Sequence, residues 1–267
     1  MGKLLYAVIT PHPPVLIPQI GAEKLKQVEV TKKSLELISK KVKNLKPDTV
    51  VLITPHAEIS KTTIKIHASH IFEGDFGELG FPKIKLSSKG DASLASLIMK
   101  ETKNSKILTT EVLQSTMDHG TMVPLHYLKS AGVKSKILPV AIAYLTLKEL
   151  FEFGQLLASA IEKSDGNVVV IASADMSHKL NEVAGQEFDK KLSEMISTND
   201  VEGILTFDND LLESARQDAI WSIAILLGAV SKFKYESKLL SYEGPFGVGY
   251  MVAEYDMEQS GSRKEKK

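Results

Sequence analysis

Val8-Ile9-Thr10-Pro11-His12 closes a short apolar run that begins at Leu4, and Leu52-Ile53-Thr54-Pro55-His56 closes a β-branched run that begins at Thr49. Apolar runs of this length, each ended by Thr-Pro, predict buried strands. Between them Leu25, Val28, Leu35, Ile38, Val42 and Leu45 recur at spacings of three, four and seven among Lys and Glu. That spacing predicts an amphipathic helix over 25–45 lying on a sheet. Strand, helix, strand opens a layered α/β fold.

The rest of the chain continues the alternation. Asn167 to Ala172 is the most strand-like run; Lys136 to Ala143 is apolar and strand-like, and Lys83 to Leu86 is a further candidate. Thr62 to Ala68 alternates, with Ile64, Ile66 and Ala68 on one face, as a half-exposed strand does. Helices are predicted over 91–103, over 187–196, over 210–230 and from Thr146 to about Ile161. The helix from Thr146 opens on a capping box with Glu149. Lys238 to Tyr242 and Phe246 to Tyr255 read as two strands around Gly244-Pro245. The expectation is one α/β domain over 1–258, a mixed, mostly parallel β-sheet flanked by helices on both faces, with a disordered polar tail at 259–267.

Composition narrows the function. The 267 residues are 43% hydrophobic, enough for one sizeable core. Lys plus Arg and Asp plus Glu are each 33, so no net charge grips nucleic acid or an anionic membrane. With no cysteine, disulfides, iron–sulfur clusters and thiol nucleophiles are excluded, and a metal must rest on imidazole and carboxylate. Pro11 arrives too soon for a signal peptide and no apolar run suits a membrane span, so a cytoplasmic protein is expected.

The chemistry gathers at strand ends, where open α/β sheets bind ligands. His12 and His56 stand in the same sequence frame, each held by a preceding proline, as rigid metal ligands require. The strand from Asn167 runs into Ser173-Ala174-Asp175-Met176-Ser177-His178, where Asp175 or Ser177 serves equally well as a helix cap. Asp118-His119-Gly120 and Pro124-Leu125-His126 place two histidines seven apart, on one face if helical, although Gly120 and Pro124 argue for a loop at His119. Glu243 precedes a Gly-rich turn and reads equally as a solvated turn residue. Two histidines and a carboxylate on one face of a metal is the arrangement of non-haem Fe(II) oxygenases, and further histidines supply proton transfer at neutral pH.

These motifs, in this order, resemble the class III extradiol ring-cleavage dioxygenases, the LigB-like superfamily, which is related to the Memo family. The resemblance runs from Pro11-His12-Pro13-Pro14 through Thr54-Pro55-His56 and Asp118-His119-Gly120 to Asp175-Met176-Ser177-His178, and extends to Glu243. It implies a mixed sheet flanked by helices and Fe(II) held by His12, His56 and Glu243, with zinc an alternative in the isolated protein. His178 is implied as the base that deprotonates a catechol-like substrate and steers O2, and His119 as its partner acid. Asp118, His126 and Asp175 are expected beside the ligands or the substrate. Memo-type relatives carry Cys at the last ligand position; this chain has none, which favours the oxidoreductase branch. A Memo-like metal-binding protein acting with a partner enzyme is the alternative, and a zinc hydrolase a third reading. A homo-oligomer stays open.

Overall fold

The structure is a computed structural model that describes residues 1–258. The tail expected at 259–267 lies outside the described residues. In chain order the elements are β1 (Lys3–Thr10), α1 (Pro18–Gly21), α2 (Glu29–Leu45), β2 (Thr49–Thr54), β3 (Thr63–His67), β4 (Ile71–Phe76), β5 (Phe81–Lys89), α3 (Ala92–Thr102), β6 (Leu108–Val112) and α4 (His119–Ala131). There follow β7 (Lys136–Ala141), α5 (Leu147–Lys163), β8 (Asn167–Ser173), α6 (Val183–Thr198), α7 (Val201–Leu205), α8 (Asn209–Ala215), α9 (Ala219–Val230), β9 (Tyr235–Glu243) and β10 (Tyr250–Met257).

Eight strands form one sheet in the order β6-β3-β7-β2-β8-β1-β10-β9. The central strands β7, β2, β8 and β1 are mutually parallel, whereas β10 runs antiparallel to both β1 and β9. β3 is antiparallel to β7, so the sheet is mixed, as expected. Buried on both faces, β1, β2 and β8 read as unbroken apolar runs. One apolar cluster joins the sheet to α3, α5, α6 and α9, and the other joins it to α2 and α4. No helix among the described residues is long and apolar enough to cross a membrane.

Three differences from the sequence reading bear on function. The helix expected over 210–230 is two helices. Arg216 turns left-handed at φ 49°, α8 stops, and α9 starts afresh after Asp218. Apolar spacing persists across the break, because Leu212, Ala215, Ala219 and Ile223 are all buried, and so it conceals the turn. His119 begins a helix rather than a loop, since the Asp118 carboxylate accepts from the Thr121 amide and caps it. The strand seen around Lys83–Leu86 belongs to a hairpin, β4–β5, that pairs outside the main sheet.

Candidate active site

Because β1, β2 and β8 are parallel, the loops after them emerge at one pole, carrying His12, His56 and Asp175. The imidazoles meet there: His12 Nε2 stands 2.9 Å from His56 Nε2, and His119 stacks on His56 with ring centroids 4.0 Å apart. A nitrogen from each of the three rings lies within 4.8 Å of the others, so His12, His56 and His119 can hold a metal ion.

The orientation of His12 is fixed by a chain of hydrogen bonds. Pro124 lacks the amide that would bond the Gly120 carbonyl one turn back in α4. The Ser173 hydroxyl donates to that carbonyl instead, at 2.6 Å. Its single proton being spent, Ser173 Oγ accepts from His12 Nδ1–H at 2.8 Å. His12 Nε2 therefore faces His56. Two imidazole nitrogens this close require a proton or a cation between them.

A carboxylate completes the group. Asp218, in the turn ahead of α9, brings one oxygen to 3.1 Å from His56 Nε2 and 3.4 Å from His12 Nε2. Its other oxygen accepts from the Asp175 amide at 2.9 Å. Asp175 in turn accepts from the His12 amide at 2.8 Å, locking the β1 and β8 loops together. Asp118 accepts from the Thr54 hydroxyl at 2.6 Å, which ties the start of α4 to the end of β2.

The charges follow this geometry. Burial works against a charged His12, but Asp175 and Asp218 outweigh it and raise its pKa to about 9. Burial would raise Asp218, yet His12 and His56 hold it below the usual carboxylate range. Asp175 is pushed up by burial. His119 is lowered to about 4, by burial first and then by His56 and His12. The convergence point thus favours positive charge, while His119 stays neutral at pH 7.

Glu243, expected as the carboxylate ligand, does not join this group in the structure. Its strand ends at the same pole but on the edge of the sheet, beyond β10. Its carboxylate accepts from the Thr31 amide and hydroxyl at 2.7 and 2.6 Å and from the Val30 amide at 3.3 Å. The first turn of α2 has no side-chain cap from Val28, and Glu243 satisfies its free amides across the fold. His178 lies outside the imidazole group as well. Its Nδ1–H donates to the Arg216 carbonyl at 2.8 Å, which docks it against the turn that carries Asp218. His126 is half-buried further along α4, beside the Tyr127 ring. Sequence reasoning missed Asp218; the signal was Arg216-Gln217-Asp218, three polar residues ahead of an apolar helix.

On its cleft side the site opens into a cavity of about 870 Å³ lined by His56, Asp118, His119, His67 and the β4–β5 hairpin.

Comparison with known proteins agrees with this architecture. Residues 6–253 match the family model of the catalytic LigB subunit of aromatic ring-opening dioxygenase. Protein CA_C1420 of Clostridium acetobutylicum is 34% identical over 91% of the chain; the chain spans only 56% of that relative's length. The 3,4-dihydroxyphenylacetate 2,3-dioxygenase of Escherichia coli is 24% identical over 90% of the chain and 95% of its own length. A MEMO1 family protein of Pyrobaculum arsenaticum is 24% identical over 58% of the chain and 51% of its own. An uncharacterized protein of Escherichia coli K12, JW3007, shares the fold at a TM-score of 0.65 and 13% identity, covering 94% of this chain and 99% of its own.

Proposed function

The chain belongs to the LigB family of aromatic ring-opening dioxygenases, and from that premise we propose that it is an Fe(II)-dependent extradiol dioxygenase acting on a catechol-type ring. The observation that carries the reading is the convergence of His12 Nε2, His56 Nε2 and the Asp218 carboxylate within 3.4 Å of one another, beside a large cleft. Imidazole and carboxylate are donors that suit divalent iron, manganese or zinc, and a set of two histidines and one carboxylate leaves positions open for other ligands. Those three residues would hold the metal; His119, whose nitrogen lies in the same 4.8 Å group, faces the cleft and is assigned to proton transfer instead. Divalent iron supplies the redox change that ring opening by O2 requires, which Zn2+ lacks.

The remaining work falls to the chain's own groups. Asp175 and Ser173 hold His12 in the orientation that turns Nε2 inward. His119 faces the cleft as a neutral imidazole and accepts a proton from a substrate hydroxyl; once charged, it is the acid that returns one. His178, with Nδ1–H committed to the Arg216 carbonyl, keeps Nε2 as a second base. His126, away from the group, takes no part.

The test is anaerobic loading with Fe(II), then O2 uptake and ring-opened product across a panel of catechols. Elemental analysis accompanies it on single variants. His12→Ala, His56→Ala and Asp218→Ala should lose most of the metal, Glu243→Ala should keep it, and His119→Ala should keep metal while turnover falls roughly a hundredfold or more. Full occupancy in Asp218→Ala, or loss in Glu243→Ala, refutes the ligand set. Bound iron without O2 uptake on any catechol moves the protein to the Memo-like reading, which its match to a MEMO1 family protein supports. Ester or amide turnover with zinc moves it to the hydrolase reading.

A further inference from the structure

The cleft beside the imidazoles has a charge pattern that a bare dihydroxybenzene does not need. Its volume of about 870 Å³ lies in the range of pockets that enclose larger molecules. Glu73 and Glu78 of the β4–β5 hairpin line it, and among the described residues neither carboxylate has an ion pair or a side-chain hydrogen bond. Lys85 is the one lysine or arginine among the lining residues, against Glu58, Glu73, Asp75, Glu78 and Asp118. The lining carries more carboxylates than ammonium groups, so the cleft is net negative.

A second, independent observation points to a ligand. His67 closes β3 and lines the same cleft at 3% exposure, and its Nε2 is buried without a partner. A buried polar atom with no hydrogen bond costs about 1–3 kcal/mol, so a partner is expected. Burial holds the ring below its ordinary pKa, against the opposing pull of Asp118 and Gln114. Neutral, the ring can present its unpartnered Nε2 as an acceptor. An acceptor in a negatively charged cleft suits a donor that carries positive charge.

We propose that the substrate is an ortho-diphenol whose substituent ends in an ammonium group, held by His67 with Glu73 and Glu78 supplying the counter-charge. This rests on the ring-opening reading above and assigns its specificity. A substituent ending in a carboxylate would meet Glu73 and Glu78 as like charges, which sets this chain apart from a protein named for 3,4-dihydroxyphenylacetate.

The experiment is calorimetric titration of the metal-loaded protein, without oxygen, against three diphenols that differ in substituent charge: dopamine, 4-methylcatechol and 3,4-dihydroxyphenylacetate. Dopamine should bind roughly tenfold more tightly than 3,4-dihydroxyphenylacetate at low salt, with 4-methylcatechol between, and the spread should narrow as salt rises. Glu73→Gln/Glu78→Gln, at exposed positions, should bring the extremes within about twofold. His67→Phe should weaken dopamine and leave 4-methylcatechol unchanged. If the three bind alike, or the anion binds best, the specificity is refuted while ring opening stands. If none binds, both readings fall together.

Discussion

Asp189 shows how a single buried side chain couples stability to acidity. It is buried on α6, where it accepts from the Ser177 amide at 2.8 Å and from the Tyr242 hydroxyl at 2.7 Å. Burial nonetheless dominates and raises its pKa from 3.8 to about 6. A carboxyl raised in the folded state holds its proton longer than in the unfolded chain. Its stabilising contribution is complete below pH 3.8 and is lost as pH rises through 6. Relative to Asp189→Asn, the wild type should therefore lose about 3 kcal/mol between pH 3.5 and pH 7. Urea unfolding of both proteins at each pH checks this; a difference that stays flat or rises refutes the assignment. Taking the difference cancels the many surface carboxylates, which titrate in both proteins. At this scale the sequence marks His12 and His56, because proline and strand-end position set them apart, whereas His119 stands out only through its Asp118-His119-Gly120 motif and its spacing from His126. Asp218 and Glu243 were beyond its reach. Which of these two carboxylates turns inward depends on which lies beside His12 and which beside the open start of α2, and only tertiary contact decides that.

Among the elements, α9 bears the site's carboxylate at its start and packs closely on α5. The contact is made by glycines. A Cβ on Gly154 would strike the Ile225 carbonyl oxygen, and one on Gly228 the Phe151 carbonyl oxygen, so neither backbone can give without moving a helix. Gly154→Ala should therefore cost about 1–3 kcal/mol despite alanine's higher helix propensity. At roughly 2–4 °C per kcal/mol in a chain of this size, thermal melting registers it; an unchanged or raised melting temperature counts against the close approach. α2 and α5 were legible in the sequence because each buries one defined face against the sheet, and β2 and β8 because burial on both faces leaves unbroken apolar runs. β6 was not: it is five residues long, lies at the sheet edge and buries none of them. Its pattern carries no core to report.

For the molecule as a whole, the proposed ligands come from three distant segments, after β1, after β2 and before α9. A metal bound to all three stabilises only the folded chain, by about 2.7 kcal/mol when its concentration is a hundred times Kd. Removing metal with a chelator should lower the melting temperature by several degrees, and Fe(II), Mn(II) or Zn(II) should restore it. In His56→Ala the chelator should have no effect, whereas in Glu243→Ala it should act as in the wild type. Identical melting with and without every metal would sink the proposed centre. A different consequence follows from where β1 lies, between β8 and β10, with Tyr6 opposite Asp256 and Ile9 opposite Ala253. β1, the first of these strands in the sequence, waits for β10, the last of its partners, before both its edges are covered. Until then its neighbours are absent and its apolar faces are bare, so the nascent chain depends on a chaperone or on speed. Pairing across nearly the whole sequence carries a large loop-closure cost, which places this protein among the slow folders. The active pole, built on β1, is correspondingly among the last parts of the molecule to exist.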